Sequence, residues 1–294
     1  MKEFYLKMEI EFNKPEQLSK DSTVSLVNPS SQQEERFHRN TEIIEYLDSL
    51  GFEAQDHTAL QGNDAERIAK FNQAVNSGSK AIFPVAGNSH SEHLIEELDF
   101  EALKTLKPIF TTFSAASTLQ LAISTRANLE TFYGPHISFI QSKSSHRENQ
   151  YTIASYLNML CGTSARWGLR GKLGAIAFRN TVEGNRIIMR NIISQIPDLD
   201  KLYDGEPIPF IGTTDKSETI VTGKLMPTFL QSLNMAAKIG LELNMNDNIL
   251  LIETNDTSYE EALIYMQEIH NVYNLSNLSA IVLASFIHRK REPS

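Results

Sequence analysis

The sequence predicts an α/β protein with an N-terminal Rossmann-like parallel-sheet domain and a smaller mixed α/β C-terminal domain. Three observations predict it. Short apolar runs in the first half stop at small or polar residues and pass directly into helical apolar spacing, the pattern of strand, turn and helix repeated in α/β folds. The second half changes character, with short strand candidates punctuated by glycine. With 294 residues and 41% hydrophobic side chains, the chain can bury one large core or two modest ones.

The elements follow in order. Thr23 to Val27 reads as a buried strand, and Ile43, Ile44, Leu47 and Leu50 recur at helical spacing after it. Residues 64–74 supply another helix, with Ile68, Phe71 and Ala74 on one face, and residues 80–85 a second strand. This βαβ beginning implies right-handed parallel crossovers. The strand runs into a turn of Ala86, Gly87, Asn88 and Ser89, then into an amphipathic helix carrying Leu94, Ile95 and Leu98. Residues 108–113 read as a further strand, and Leu119, Ala122 and Ile123 mark the helix that follows.

After Gly134-Pro135 comes a polar bridge at 141–149, which sets the expected domains at 1–145 and 146–294. A helix at 151–160 leads across, and strand candidates lie at 174–179, 209–212 and 219–221. Residues 224–239 have helical apolar spacing at Leu230, Leu233 and Ile239, and strands are expected at 248–253 and 280–286.

Ser114 stands at a strand-to-helix corner. A hydroxyl there projects beside backbone N–H groups that can stabilise an oxyanion. The same position suits a helix cap, for which serine is favoured, and the glycines of a Gly-x-Ser-x-Gly elbow are replaced by Thr112 and Ala116. Gly87 and Asn88 end the preceding strand in the same way. In an open parallel sheet ligands bind beyond the carboxyl ends of the strands, so both turns would face one crevice; a plain permissive turn is the alternative for Gly87 and Asn88.

Composition excludes several classes. A net charge of −9 and a pI of about 5.4 give no electrostatic reason for nucleic-acid binding. The single cysteine, Cys161, allows no internal disulfide and sits in an apolar phrase as a core thiol. No apolar run reaches bilayer length and the N-terminus lacks an uninterrupted apolar stretch, so no membrane association and a cytoplasmic location are expected. His90, Glu92, His93 and Glu96 offer two imidazoles at i, i+3, but zinc-protease helices need i, i+4, and the four residues fit a polar helix face; no metal is expected. Arg166, Trp167 and Arg170 read as a snorkelling surface cluster, with a carboxylate contact as the alternative.

Taken together these phrases resemble the LD-carboxypeptidase family of serine peptidases, which includes the microcin-immunity hydrolases. Thr23 to Ser30 matches its opening strand ending in Pro-Ser, and Leu50-Gly51-Phe52 its Leu-Gly-Phe phrase. Ala86 and Gly87 stand at a Gly-Gly turn, and Leu98-Asp99-Phe100 closes the next helix. Phe113, Ser114, Ser117 and Leu119 fall on the nucleophile phrase Gly-Tyr-Ser-Asp-x-Thr-x-Leu. Tyr133-Gly134-Pro135 fits a His-Gly-Pro phrase with the histidine replaced. Asn248 to Glu253 looks like the strand whose terminal acid orients the catalytic histidine, and residues 280–286 like the strand after the next helix. Departures are Thr112 for a glycine, Ala115 for the aspartate after the nucleophile, and Met226-Pro227-Thr228 for Gly-Gly-Asn.

The resemblance implies a cofactor-free hydrolase that cuts the L,D-peptide bond of murein peptides or a peptidyl-adenylate antibiotic, and a homodimer. By carry-over, Ser114 attacks, backbone groups near Gly87, Asn88 and Ala115 bind the oxyanion and substrate, and Glu253 orients a histidine. No matching histidine follows residue 286, since His288 lies in a basic tail, and a serine without imidazole is a poor nucleophile. Impaired catalysis is therefore expected, with an uncovered apolar edge near residues 280–286; a non-catalytic homologue that binds a peptide-like ligand, and a truncated active enzyme, are the alternatives.

Overall fold

The computed structural model describes residues 13–30, 40–59, 63–85, 87, 90–140, 156, 159–161, 178–179, 223–254 and 257–283. Two sheets organise them. The first takes the order β2-β1-β3-β4-β5-β6 from β1 (Thr23–Val27), β2 (Glu53–Asp56), β3 (Ala81–Pro84), β4 (Ile109–Thr112), β5 (Phe132–Tyr133) and β6 (Phe178–Arg179). It is parallel except for β6, which pairs antiparallel with β5. The second sheet, smaller and parallel, takes the order β7-β8-β9 from β7 (Lys224–Phe229), β8 (Asn248–Glu253) and β9 (Ala280–Leu283). The chain is thus α/β, with a Rossmann-like sheet followed by a smaller one.

Both faces of the first sheet are covered, so its central strands read as continuous apolar runs. The pleat sends alternate residues to opposite sides. Ala81, Phe83 and Ile109 join Ile43 and Leu47 of α1 (Asn40–Ser49), with Tyr156 and Leu160, in one buried cluster. Ile82 and Phe110 face the other way, toward Ile68 and Phe71 of α2 (Asp64–Asn76); the Phe71 and Phe110 rings lie 6.0 Å apart and tilted. A strand order that reverses direction after β2, with right-handed crossovers, puts α1 on one face, with Ile137, Tyr156 and Leu160, and α2 and the helices that follow β3 and β4 on the other.

That second cluster does not stop at the first sheet. It continues through α3 (Phe100–Leu106) and α4 (Ser117–Arg126) to Leu230 and Leu233 of α6 (Leu230–Lys238), Leu250 and Ile252 of β8, and Ile269 of α7 (Tyr259–Val272). A short α5 (Ile137–Ile140) follows β5. α4 lies between the two sheets, and every residue from Ser117 to Ser124 is buried. Its polar residues are therefore part of the packing between the sheets, as are its apolar ones.

Several elements differ from the sequence reading, each for a local reason. The stretch with Leu94, Ile95 and Leu98 is a 3₁₀ helix, Ser91–Glu97, that buries Ser91, Leu94 and Ile95. Over seven residues a three-residue period cannot be told from 3.6. Leu98-Asp99-Phe100 does not close that helix but opens the next: Leu98 is extended and the Asp99 carboxylate caps α3 by accepting from the Ala102 N–H. The helical reading of 224–239 holds only from Leu230. Pro227 has no N–H to give a helix interior, whereas β7 is an edge strand, where proline is tolerated. Ile239, counted on the buried face, lies at the end of α6 and is 43% exposed. β2 and β5, four and two residues long, carried no strand signal of their own.

β9 borders the second sheet among the described residues, and Ile281 and Leu283 are exposed along it. Among the described residues no helix is long and apolar enough to cross a membrane. Cys161 is half-buried against the α1 cluster, and burial pushes its thiol pKa up. The polar bridge at 141–149, the strand candidates at 209–212 and 219–221, the cluster of Arg166, Trp167 and Arg170, and His288 lie outside the described residues.

Candidate active site

β4 ends at Thr112, and the chain turns sharply at Ser114 before entering α4 through a 3₁₀ turn, Ser114–Ala116. Ser114 has φ of +58°. A residue with a Cβ pays roughly 1–2 kcal/mol for that left-handed conformation. The serine is not the cap of either helical segment: Phe113 and Ala116 occupy those positions, and neither makes a side-chain cap bond. Of the two sequence readings, cap and projecting corner, the backbone takes the corner.

What holds the corner comes from the helices around it. The Ser117 hydroxyl donates to the Ser114 carbonyl at 2.7 Å and accepts from the Phe229 N–H at 3.2 Å. The Ser232 hydroxyl lies 3.2 Å from both the Ser114 and the Ala115 carbonyls, and the Ser91 hydroxyl donates to Ala115 at 3.1 Å. Carbonyls are thereby engaged on the inner side. Ser114 and Ala115 themselves stay partly exposed.

Gly87 sits directly beside this turn. A Cβ added to it would lie 2.8 Å from the Phe113 carbonyl oxygen and 2.6 Å from His136 Nε2. Only glycine allows the β3 turn to approach the backbone ahead of Ser114 so closely. His136 is buried, with its ring edge-on to Phe113 at 5.9 Å. Asn88 lies outside the described residues.

Glu253 ends β8, in the other sheet, and reaches the same place. Its Oε2 accepts a hydrogen bond of 2.9 Å from the Tyr133 hydroxyl, and the Tyr133 ring packs against Phe113, centroids 5.5 Å apart, immediately ahead of Ser114. Burial raises the Glu253 pKa above the ordinary carboxylate value, with the Tyr133 hydrogen bond opposing it. Burial, then the neighbouring Glu253 charge, pushes the Tyr133 phenol well above its usual range, so it is a proton donor at neutral pH. Ser114, Gly87 and Glu253 are thus brought together through Phe113 and Tyr133. Sequence reasoning missed Tyr133, Ser232 and the bridging role of Ser117. The one available signal for Tyr133 was its place in the Tyr-Gly-Pro phrase.

The histidine pair serves elsewhere. His93 Nδ1 lies 2.7 Å from Asp64 Oδ2, Asp64 also pairs with the buried Arg67, and His90 stacks against His93 at 5.1 Å. Arg67 donates to the Pro29 carbonyl at 2.7 Å, tying α2 to the end of β1. Among the described residues no group of three or more His, Cys, Asp or Glu side chains could hold a metal ion.

Chemically, a strained serine at a strand end, amide groups of an adjoining glycine turn and a partly buried carboxylate suit nucleophilic attack on a carbonyl. Comparison with known proteins points the same way. Residues 24–134 match the family described as the LD-carboxypeptidase N-terminal domain. A Vibrio cholerae protein carrying a provisional carboxypeptidase name is 28% identical over 132 residues, 42% of this chain and 39% of that protein. The alignment therefore spans well under half the length of that relative. The fold is shared with the microcin C7 self-immunity protein MccF in complex with aspartyl sulfamoyl adenosine (TM-score 0.67, 17% identity, 95% of this chain and 81% of that chain). It is also shared with a muramoyltetrapeptide carboxypeptidase from Oxalobacter formigenes (TM-score 0.62, 17% identity, 90% and 77%).

Proposed function

We propose that this chain, which belongs to the LD-carboxypeptidase family by its N-terminal domain, hydrolyses an amide bond with Ser114 as nucleophile. The observation that carries this reading is the left-handed backbone of Ser114 at the end of β4, kept in place by hydrogen bonds from Ser117 of α4 and Ser232 of α6. Strain of this kind persists only where the surroundings over-determine it, and it collects at reactive positions.

The roles follow from placement. The Ser114 hydroxyl attacks the carbonyl carbon, and the N–H groups of Ala115 and of the Gly87 turn, Asn88 included, receive the developing oxyanion. Glu253, whose Oε2 accepts from Tyr133, would orient an imidazole base to take the serine proton and pass it to the leaving amine; this chain has no matching histidine at the family's position, so impaired turnover is expected. Substrates of two kinds fit the relatives: a murein tetrapeptide, as the name of the Oxalobacter protein implies, or an aminoacyl-nucleotide, as the MccF ligand implies. We place the activity in the cytoplasm and expect no cofactor to take part.

The test is release of D-alanine from a murein tetrapeptide, and of amino acid from a peptidyl-adenylate analogue, by the chain and by its Ser114→Ala variant. Ser114-dependent hydrolysis of either supports the reading. A serine and oxyanion donors without a working base retain only about 10³-fold over water, whereas turnover above about 1 s⁻¹ requires an imidazole in place. One observation favours a second reading, a non-catalytic homologue that binds a peptide-like ligand: the Glu253 carboxylate is met by a phenol, which at its raised pKa takes no proton from serine. Tight binding with hydrolysis equal in the two proteins would establish that reading instead.

A further inference from the structure

The Ser114 carbonyl and the Ala115 N–H belong to one peptide unit, and in a trans unit the two point in opposite directions. Whatever fixes the carbonyl therefore aims the N–H. The Ser117 hydroxyl meets that carbonyl from within the same turn, three residues on. The Ser232 hydroxyl meets it from 118 residues away and is shared with the next carbonyl, lying 3.2 Å from the Ser114 oxygen and 3.2 Å from the Ala115 oxygen.

We propose that Ser232 is a positioning residue for the oxyanion-binding amide, its hydroxyl fixing the Ser114–Ala115 peptide so that the Ala115 N–H faces the crevice. This rests on the reading of Ser114 as nucleophile. A hydroxyl has one proton, so Ser232 donates in a three-centre bond to two successive carbonyls and holds their planes at a set angle. Ser232 is 2% exposed and lies in the first turn of α6, which is itself tied to the corner. Its backbone carbonyl accepts from the Thr118 hydroxyl at 3.3 Å, and the Phe229 N–H just ahead of α6 donates to Ser117. Ser117 and Ser232, both buried, enclose the carbonyl side of the peptide, which turns its amide side toward the partly exposed face of Ser114 and Ala115. The charged oxygen of a tetrahedral intermediate on Ser114 would be met on that side. A helix packed on the second sheet therefore sets the aim of a donor that follows a strand of the first.

Ser232→Ala removes the hydroxyl and keeps the rest of the side chain. Its effect on the peptide is read by NMR of the carbonyl carbons, which move upfield when a hydrogen bond is lost. The Ser114 and Ala115 carbonyls are expected to shift, and those of Phe110 and Thr111 to stay. Its effect on the amide is read with two reagents, an activated fluorophosphonate and the same compound with sulfur in place of the phosphoryl oxygen. Sulfur is a weak hydrogen-bond acceptor, so the oxygen reagent depends on an oxyanion donor far more than the sulfur one does. The limiting inactivation rate is expected to fall about 10-fold for the oxygen reagent and less than about 3-fold for the sulfur reagent. Equal slowing of the two would make Ser232 merely structural and overturns the proposal; so do unchanged rates or unmoved Ser114 and Ala115 resonances. If the wild-type chain reacts with neither reagent, the nucleophile reading fails and the proposal falls with it. A wild-type chain that reacts, beside a variant that keeps its ratio of the two rates, sinks the proposal alone. If the Ala variant does not fold, Ser232→Cys retains only a weak donor and should lower that ratio about 2-fold; an unchanged ratio would count against the proposal.

Discussion

The Tyr133 hydroxyl, at the end of β5, donates to Glu253 Oε2, at the end of β8, across 2.9 Å. Residues 120 positions apart in the chain and belonging to different sheets thus meet near Ser114, whose backbone is left-handed. The contact matters because α4, buried from Ser117 to Ser124, fixes the separation of the sheets, so the pair has little freedom to drift apart.

Strain at Ser114 is measurable. Glycine adopts φ near +58° without steric cost, whereas alanine retains the strain and loses the hydroxyl. Ser114→Gly is therefore expected to be more stable than Ser114→Ala by about 1 kcal/mol, read as the difference in urea unfolding midpoints at a common slope. Equal midpoints would mean that the left-handed corner is not strained.

Gly87 is required for close approach. Gly87→Ala puts a methyl group 2.8 Å from a backbone oxygen and 2.6 Å from an imidazole nitrogen, so something must move. A loss of about 1–3 kcal/mol is expected, with any Ser114-dependent hydrolysis lowered further because the turn beside the nucleophile is displaced. Adding His136→Ala should recover only part of the stability, since the Phe113 carbonyl remains in the way. Full recovery would place the whole clash at the imidazole.

Ser117 carries one bond to each side of the site. Ser117→Ala leaves the Phe229 N–H without its 3.2 Å acceptor and the Ser114 carbonyl without its 2.7 Å donor. Leaving a buried donor unsatisfied costs about 1–3 kcal/mol, and a thermal unfolding shift of that size is expected. Ser117→Thr, which keeps the hydroxyl, should lose less; a Thr variant as unstable as the Ala variant would shift the cause to packing.

Glu253 predicts a pH dependence with a definite sign. Burial raises its pKa in the folded protein above the unfolded value, so the native state holds this proton more tightly. Its contribution to stability is complete below the unfolded carboxylate pKa and is lost as pH rises through the raised folded value. Glu253→Gln removes the titration. The stability of the variant relative to the wild type should therefore improve between about pH 4.5 and about pH 7.5, as followed by denaturant unfolding at both. A relative stability that falls over this interval would show the folded pKa to be depressed, not raised.

Some of this architecture was legible from residue order. Thr23–Val27 and Asn248–Glu253 are strands with the limits their apolar runs suggested, and Ser114 lies at the corner where an apolar run gives way to helical spacing. Local chemistry is enough for such elements, because burial on both faces of a central strand and the onset of a helix each leave a mark within a few residues. Pro227 shows the reverse: a helical count carried through it concealed an edge strand.

The sequence by itself determined the alternation of strands and helices, the two small-residue turns at strand ends and the serine that one of them presents. Only the tertiary structure decided that α4 is buried from Ser117 to Ser124, that Gly87 touches the backbone ahead of Ser114, and that Tyr133 joins Glu253 beside Phe113. Periodicity reports which face of an element is apolar relative to its own axis. It says nothing of which distant element will cover that face, and a hydrogen bond between residues 120 positions apart leaves no periodic trace in either segment.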